Sequence, residues 1–164
     1  MKLYLVRHGQ ANPANIDPEK GLSDIGKQDI ARLAESVRHL SISVEQIWHS
    51  GKARAKQTAE SLSSVVKSND GLTVREGLKP NDAVDATALE IGAYGCDLML
   101  VGHLPFMAKL ASLLFTGDQD RCAFQFHPGT LACFDLSDDI WSLEYFIHPG
   151  IVAPDGKAAF QSYH

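Results

Sequence analysis

Cysteine is scarce in this chain: Cys96, Cys122 and Cys133 are the three in 164 residues, odd in number and scattered. That usage excludes the even framework of a disulfide-stapled secreted domain and the close pairs of a structural zinc site. Reduced core thiols are expected instead. Basic charge is also short, with 15 Lys and Arg against 20 Asp and Glu and a formal net charge of -5. Nothing global therefore draws the protein to nucleic acid or to an anionic membrane surface, and any anion site has to be local. No apolar run approaches a membrane span, and the opening stretch reaches Arg7 after four largely apolar residues, too short for a signal h-region. The expectation is a soluble, cytoplasmic protein. Repeats, linkers and low-complexity tracts are missing as well. His39, His49, His127, His148 and His164 lack metal-site spacing such as a His pair four apart on a helix, so surface or capping roles are expected, with no metal and no cofactor.

What is present suits one enzyme domain: 45% hydrophobic and 21% charged residues is ordinary globular composition. The domain is expected to span residues 1–148, with 149–164 a weakly patterned surface tail. Residues 2–6 form a nearly continuous apolar run, the pattern of a strand buried on both faces. An irregular loop follows from Gly9 to Gly21, rich in Pro, Asn and Asp. Ser23 offers an N-cap for a helix carrying Ile30, Leu33, Ala34, Val37 and Leu40. Residues 44–49 read as a strand, and Ala55 to Val66 as a helix reaching about Lys67, with Arg54 near its start. A weak strand at 72–75, a helix from about 84 to 93 and an apolar strand at 97–101 come next, and a helix begins near Pro105. Residues 123–126, 130–136 and 140–147 read as strands, the last two joined at Ser137-Asp138-Asp139. Phe124, Phe126, Phe134, Trp141 and Phe146 are expected in the hairpin core. The sum is an α/β sandwich with a mainly parallel sheet, helices on both faces and a C-terminal hairpin.

Ligands of open α/β sheets bind beyond the carboxyl ends of the strands. One strand here ends on Arg7-His8-Gly9 and another on Gly102-His103, which puts both histidines at one edge, with Arg54 able to join them. Two imidazoles and two guanidiniums suit a phosphoryl group, because the planar Arg fork makes bidentate contacts to phosphate oxygens. His8, neutral at the attacking nitrogen, is the expected nucleophile. Arg7, Arg54 and His103 would neutralise the equatorial oxygens, Gly9 would let the backbone approach closely, and water would release the phosphate.

The blocks Leu5-Val6-Arg7-His8-Gly9-Gln10-Ala11, Leu22-Ser23-Asp24-Ile25-Gly26, Ser50 with Arg54-Ala55-Lys56-Gln57-Thr58, and Val101-Gly102-His103-Leu104-Pro105 resemble, in order and spacing, the histidine phosphatase superfamily. The triplet alone is a weak signal; four ordered blocks are a strong one. The resemblance implies a phosphoglycerate mutase-like three-layer sandwich, His8 as nucleophile, and Arg7, Arg54 and His103 as the rest of a phosphate pocket. Within the superfamily, the short length and the His103-Leu104-Pro105 sequence look like the SixA-type phosphohistidine phosphatases, which act on phosphorylated histidine of proteins.

Many relatives that cleave phosphate esters place a carboxylic acid near the pocket to protonate the leaving alkoxide. Here Gln10 follows Gly9, and Leu104 stands where the acid-phosphatase branch has Asp. Glu76 and Asp82 fall in the region where another branch carries its acid, without a local motif. An imidazole leaving group tolerates the lack, since its far nitrogen is protonated from solvent. The expected activity is phosphohistidine hydrolysis on a protein partner. A small-molecule phosphomonoesterase or phosphomutase and a catalytically silent phosphate-binding module stand as alternatives. His127, before Pro128-Gly129-Thr130, is a candidate for the pocket rim.

Overall fold

The computed structural model describes residues 1–121 and 124–151. In chain order its elements are β1 (Lys2–Arg7), α1 (Asp24–Val37), β2 (Ser43–Val44), β3 (Gln46–His49), α2 (Ala53–Leu62), β4 (Lys67–Ser68) and β5 (Leu72–Val74). There follow α3 (Val84–Tyr94), β6 (Leu98–Gly102), α4 (Phe106–Thr116), β7 (Leu131–Ser137) and β8 (Ile140–Ile147).

Alternate residues of β1 face opposite ways, and both sets are apolar, so the strand needs cover on each side. Tyr4 and Val6, with Ile47, Met99 and Val101, pack under Ile30, Leu33 and Val37 of α1 and Ala55, Ala59 and Leu62 of α2. Leu3 and Leu5, with Trp48, Leu98 and Leu100, pack under Val84 and Ile91 of α3 and Phe106, Leu110 and Ala111 of α4. The sheet between these layers has six strands in the order β5-β3-β6-β1-β7-β8. Its first four strands are parallel, while β7 runs antiparallel to β1 and β8 returns along β7 as the C-terminal hairpin. The expected three-layer α/β sandwich is what the chain builds.

Helix α1 starts where its cap was expected, with the Gly26 N–H donating to Ser23 Oγ at 3.0 Å. Several boundaries differ from expectation. The strand read at 44–49 divides at Glu45: β2 pairs with β4 in a small parallel ribbon, whereas β3 joins the main sheet. Helix α2 stops at Leu62 instead of about Lys67, because the Ser63 and Ser64 hydroxyls bond back to the Glu60 and Ser61 carbonyls and Lys67 is drawn into β4. Of the strand expected at 123–126, residues 124–126 carry no ladder, and residue 123 lies outside the described residues. Phe124 and Phe126 still pack edge-on against Phe134 and Phe146, so they enter the core from a loop and not from the hairpin. Cys133 is buried as expected, Cys96 is exposed on the turn after α3, and Cys122 lies outside the described residues. The tail begins packed, with Pro149 buried; residues 152–164 lie outside the described residues. Among the described residues no helix is long and apolar enough to cross a membrane.

Candidate active site

Parallel pairing sets Arg7 of β1 opposite Gly102 of β6. The next residue of each strand, His8 and His103, therefore leaves the same edge of the sheet, and their rings lie 4.9 Å apart between centroids. The His8 N–H extends the ladder by one step, donating to the Gly102 carbonyl at 3.0 Å. Arg54, in the first turn of α2, reaches over this edge and donates from Nε to His8 Nε2 at 3.1 Å.

The tautomer of His8 follows from its partners. Nδ1 lies 2.6 Å from the Gly9 carbonyl, which can only accept, so the ring proton sits on Nδ1. Nε2, which accepts from Arg54, then carries the lone pair. Burial pushes the His8 imidazole down to about 4; the Gly9 hydrogen bond opposes that, and the charges of Arg54 and Arg7 add to it. The two charges that add to the shift are both cationic. His103 is pushed down to about 3, by burial first and then by His8, Arg54, Lys52 and Arg7. Both rings are neutral near pH 7.

His103 Nε2 lies 2.6 Å from Ser50 Oγ, while its Nδ1 is buried with no partner among the described residues. Arg7 donates from Nη1 to the Phe126 carbonyl at 2.7 Å, and its buried Nε has no such partner either. Burial lowers both guanidiniums from their usual range, yet arginine stays charged. The 124–126 segment thus holds Arg7 in place where a strand was expected.

All five residues singled out in the sequence, Arg7, His8, Gly9, Arg54 and His103, fall within this edge. Gly9 has a reason beyond the pocket: a Cβ there would lie 2.8 Å from Ile30 Cγ1 and 3.1 Å from the Gly26 carbonyl of α1. Sequence reasoning gave no role to Thr58 or Ser50. Thr58 Oγ1 donates to the Arg54 carbonyl at 2.8 Å and accepts the Gly9 N–H at 3.1 Å. The available signal was their place in the Ser50-to-Thr58 block.

The acid candidates are engaged with Lys79, and neither hydrogen-bonds to a site histidine. Glu76 is exposed and its carboxylate takes Lys79 Nζ at 3.2 Å; Asp82 accepts the Lys79 backbone N–H at 2.8 Å. Gln10 Oε1 instead accepts from Ser23 at 3.3 Å. His127, the rim candidate, stacks against His148 with centroids 5.0 Å apart, in a separate recess with Phe124, Leu143 and Phe146. His49 and His148 cap turns, accepting from the Gly51 and Gly150 N–H groups at 3.2 and 3.1 Å, while His164 lies outside the described residues. Among the described residues no cluster of three or more His, Cys, Asp or Glu could hold a metal ion.

Fold and site together define an α/β sandwich with a cluster of two histidines and two arginines at the carboxyl edge of its parallel strands. The family model for the histidine phosphatase superfamily (branch 1) matches residues 3–91, and the chain belongs to that superfamily. A stretch of 63 residues is 41% identical to 6-phosphofructo-2-kinase/fructose-2,6-bisphosphatase 1 of Mus musculus, taking in 37% of this chain but only 13% of the mouse enzyme. The fold is similar to that of the protein histidine phosphatase SixA complexed with tungstate, with a TM-score of 0.81 at 21% identity over 92% of this chain and 98% of that one. It is also similar to a phosphoserine phosphatase of Entamoeba histolytica in complex with 3-phosphoglyceric acid, with a TM-score of 0.68 at 16% identity over 88% and 95% of the two chains. The alpha-ribazole phosphatase of Shigella flexneri gives a TM-score of 0.65 at 16% identity over the same shares.

Proposed function

We propose that the protein hydrolyses phosphohistidine on a polypeptide through a covalent phospho-His8 intermediate, without a metal. The observation that carries this reading is the fixed lone pair on His8 Nε2, in a ring held between the Gly9 carbonyl and the Arg54 Nε–H with the charges of Arg54 and Arg7 bearing on it. An incoming phosphoryl group displaces the Arg54 hydrogen bond, and the freed guanidinium turns its donors onto the phosphate oxygens. Arg7 Nε–H, buried and unpartnered, is a donor that a phosphoryl oxygen satisfies, and the buried His103 Nδ1 is another when it carries the ring proton.

The first step forms the Nε2–P bond and breaks the P–N bond of the substrate; the leaving imidazole, protonated at its far nitrogen by solvent, departs neutral. Water then attacks phosphorus, the His8–P bond breaks, and inorganic phosphate leaves with the proton lost to solvent. Neither step asks the protein for a carboxylic acid, which fits the engagement of the exposed Glu76 and the half-buried Asp82 with Lys79. A phosphate monoester would need one for its alkoxide.

The second reading, a small-molecule phosphomonoesterase, draws on the phosphoserine and alpha-ribazole phosphatases of similar fold. Two measurements separate the readings. Phosphohistidine peptide carrying labelled phosphate should transfer label to the enzyme, with chelator present, and His8→Ala should abolish both label and turnover. Comparable turnover of simple alkyl esters, lost in Glu76→Gln while phosphohistidine hydrolysis survives, would favour the esterase and make Glu76 its acid. Activity that vanishes with chelator would overturn the metal-free mechanism. No label and no turnover with any substrate would leave a phosphate-binding module.

A further inference from the structure

Next to the phosphoryl pocket lies a polar recess of about 360 Å³, walled on one side by Pro18, Glu19 and Lys20 and on the other by Gly51 to Arg54. Arg54 belongs to both, so the recess opens from the pocket. It carries Lys20, Lys52 and Arg54 against Glu19, a net of two positive charges (three minus one) in a molecule whose formal charge is -5. Of the eight described lysines, Lys2, Lys27, Lys56 and Lys79 each have a carboxylate within 4.0 Å, whereas Lys67 and Lys109, which do not line the recess, have none among the described residues. Lys20 and Lys52 have none among the described residues, although they sit in a loop and a helix entry otherwise tightly tied. Lys52 is near enough to bear on His103.

The turn's own hydrogen bonds fix the backbone at Lys20. Its φ of +51° lies in the left-handed region, which a side chain such as lysine rarely adopts. The Asp17 side chain enforces it, accepting from the Glu19 and Gly21 N–H groups at 3.1 and 2.8 Å, while the Lys20 N–H donates to the Asp17 carbonyl at 2.9 Å. Two cations without a carboxylate partner thus face one recess beside Arg54, with room for an anion in addition to the phosphoryl group that Arg7 and Arg54 would meet.

We infer that Lys20 and Lys52 form a second anion subsite that takes a carboxylate next to the phosphoryl group, carried by an Asp or Glu of the substrate polypeptide. The polypeptide source rests on the phosphohistidine reading; the subsite itself does not. Three phosphohistidine peptides identical except for flanking Glu, Gln or Lys test it. Wild-type kcat/KM should fall in that order, by roughly tenfold from first to last at low salt, about the size of two partly exposed ion pairs. High salt should compress the difference.

Combined Lys20→Glu and Lys52→Glu should reverse the order, and the milder Lys20→Gln with Lys52→Gln should level it. Each result is a ratio within one preparation, so a loss of folded enzyme cannot imitate it. Equal wild-type rates at low salt, or an order that survives charge reversal, overturn the subsite. If no phosphohistidine peptide is hydrolysed, the phosphohistidine reading fails, and phosphoserine against phosphoethanolamine, the same ester with and without a carboxylate, replaces the peptides. A phosphoserine preference lost on charge reversal then upholds the subsite and overturns the polypeptide as its source; equal rates overturn the subsite itself.

Discussion

At Thr58 one hydroxyl links the two halves of the pocket, accepting the Gly9 N–H and donating to the Arg54 carbonyl. Thr58→Val keeps the shape but leaves the Gly9 N–H buried and unpaired, which should cost about 1–3 kcal/mol in urea unfolding. It should also lower kcat by roughly tenfold through misplacement of His8 and Arg54, with Thr58→Ser restoring both. A variant with wild-type stability and kcat would remove the hydroxyl from the argument. His8 offers a direct titration. With the neutral ring as the proposed nucleophile and a folded value of about 4, phosphoenzyme formation should stay level from neutral pH to about 5 and then fall on the acid side. The Cε1–H resonance of His8, followed by NMR, should move near 4; a midpoint near the unperturbed value of roughly 6.5 would contradict the burial seen here. His8, Arg7 and His103 were legible because strand ends announce themselves as a charge after an apolar run. Thr58 and Ser50 were not, since a hydrogen bond to a distant backbone or ring leaves no periodicity in the chain.

Two helical glycines make a contrast at the scale of elements. Gly26 opens α1, and a Cβ there would stand 2.0 Å from the Gln10 carbonyl oxygen, so the chain leaving His8 lies directly on this helix. Alanine is the better helix former by about 1 kcal/mol, but the collision with backbone has no cheap relief, and Gly26→Ala should destabilise by about 1–3 kcal/mol. Gly92, exposed on α3 with nothing within 4 Å of its added Cβ, has no such conflict. Gly92→Ala should stabilise by about 0.5–1 kcal/mol, and thermal unfolding of the two variants in opposite directions is the check. The order and type of the main elements were legible from periodicity, caps and breakers. The division of the 44–49 strand at Glu45 was not, because it depends on which distant strand each half meets. The loss of the strand at 124–126 has the same origin: the Phe126 carbonyl is engaged by Arg7, a partner far away in sequence.

For the whole molecule the two buried imidazoles set the direction of pH dependence. Both titrate lower in the folded protein than the roughly 6.5 of an unfolded histidine, so between that value and about 4 for His8 or 3 for His103 the unfolded chain binds more protons. Their contribution is fully present above pH 6.5 or so and is lost as pH falls. The urea midpoint should drop from pH 7 to pH 4.5, with a shallower drop in His103→Gln; a slope unchanged by that substitution would assign the acid sensitivity elsewhere. The register of β1 against β6 has a wider consequence. Arg7 and Gly102 are brought level by pairing between strands nearly a hundred residues apart, so His8 and His103 are neighbours only when that long-range pairing is complete. A fragment ending ahead of β6 would contain His8 and Arg54 yet lack the second imidazole, and a slipped sheet would separate the rings. Turnover in this protein is therefore also a reporter of cooperative folding: its recovery during refolding should trail local helix formation and coincide with closure of the central sheet.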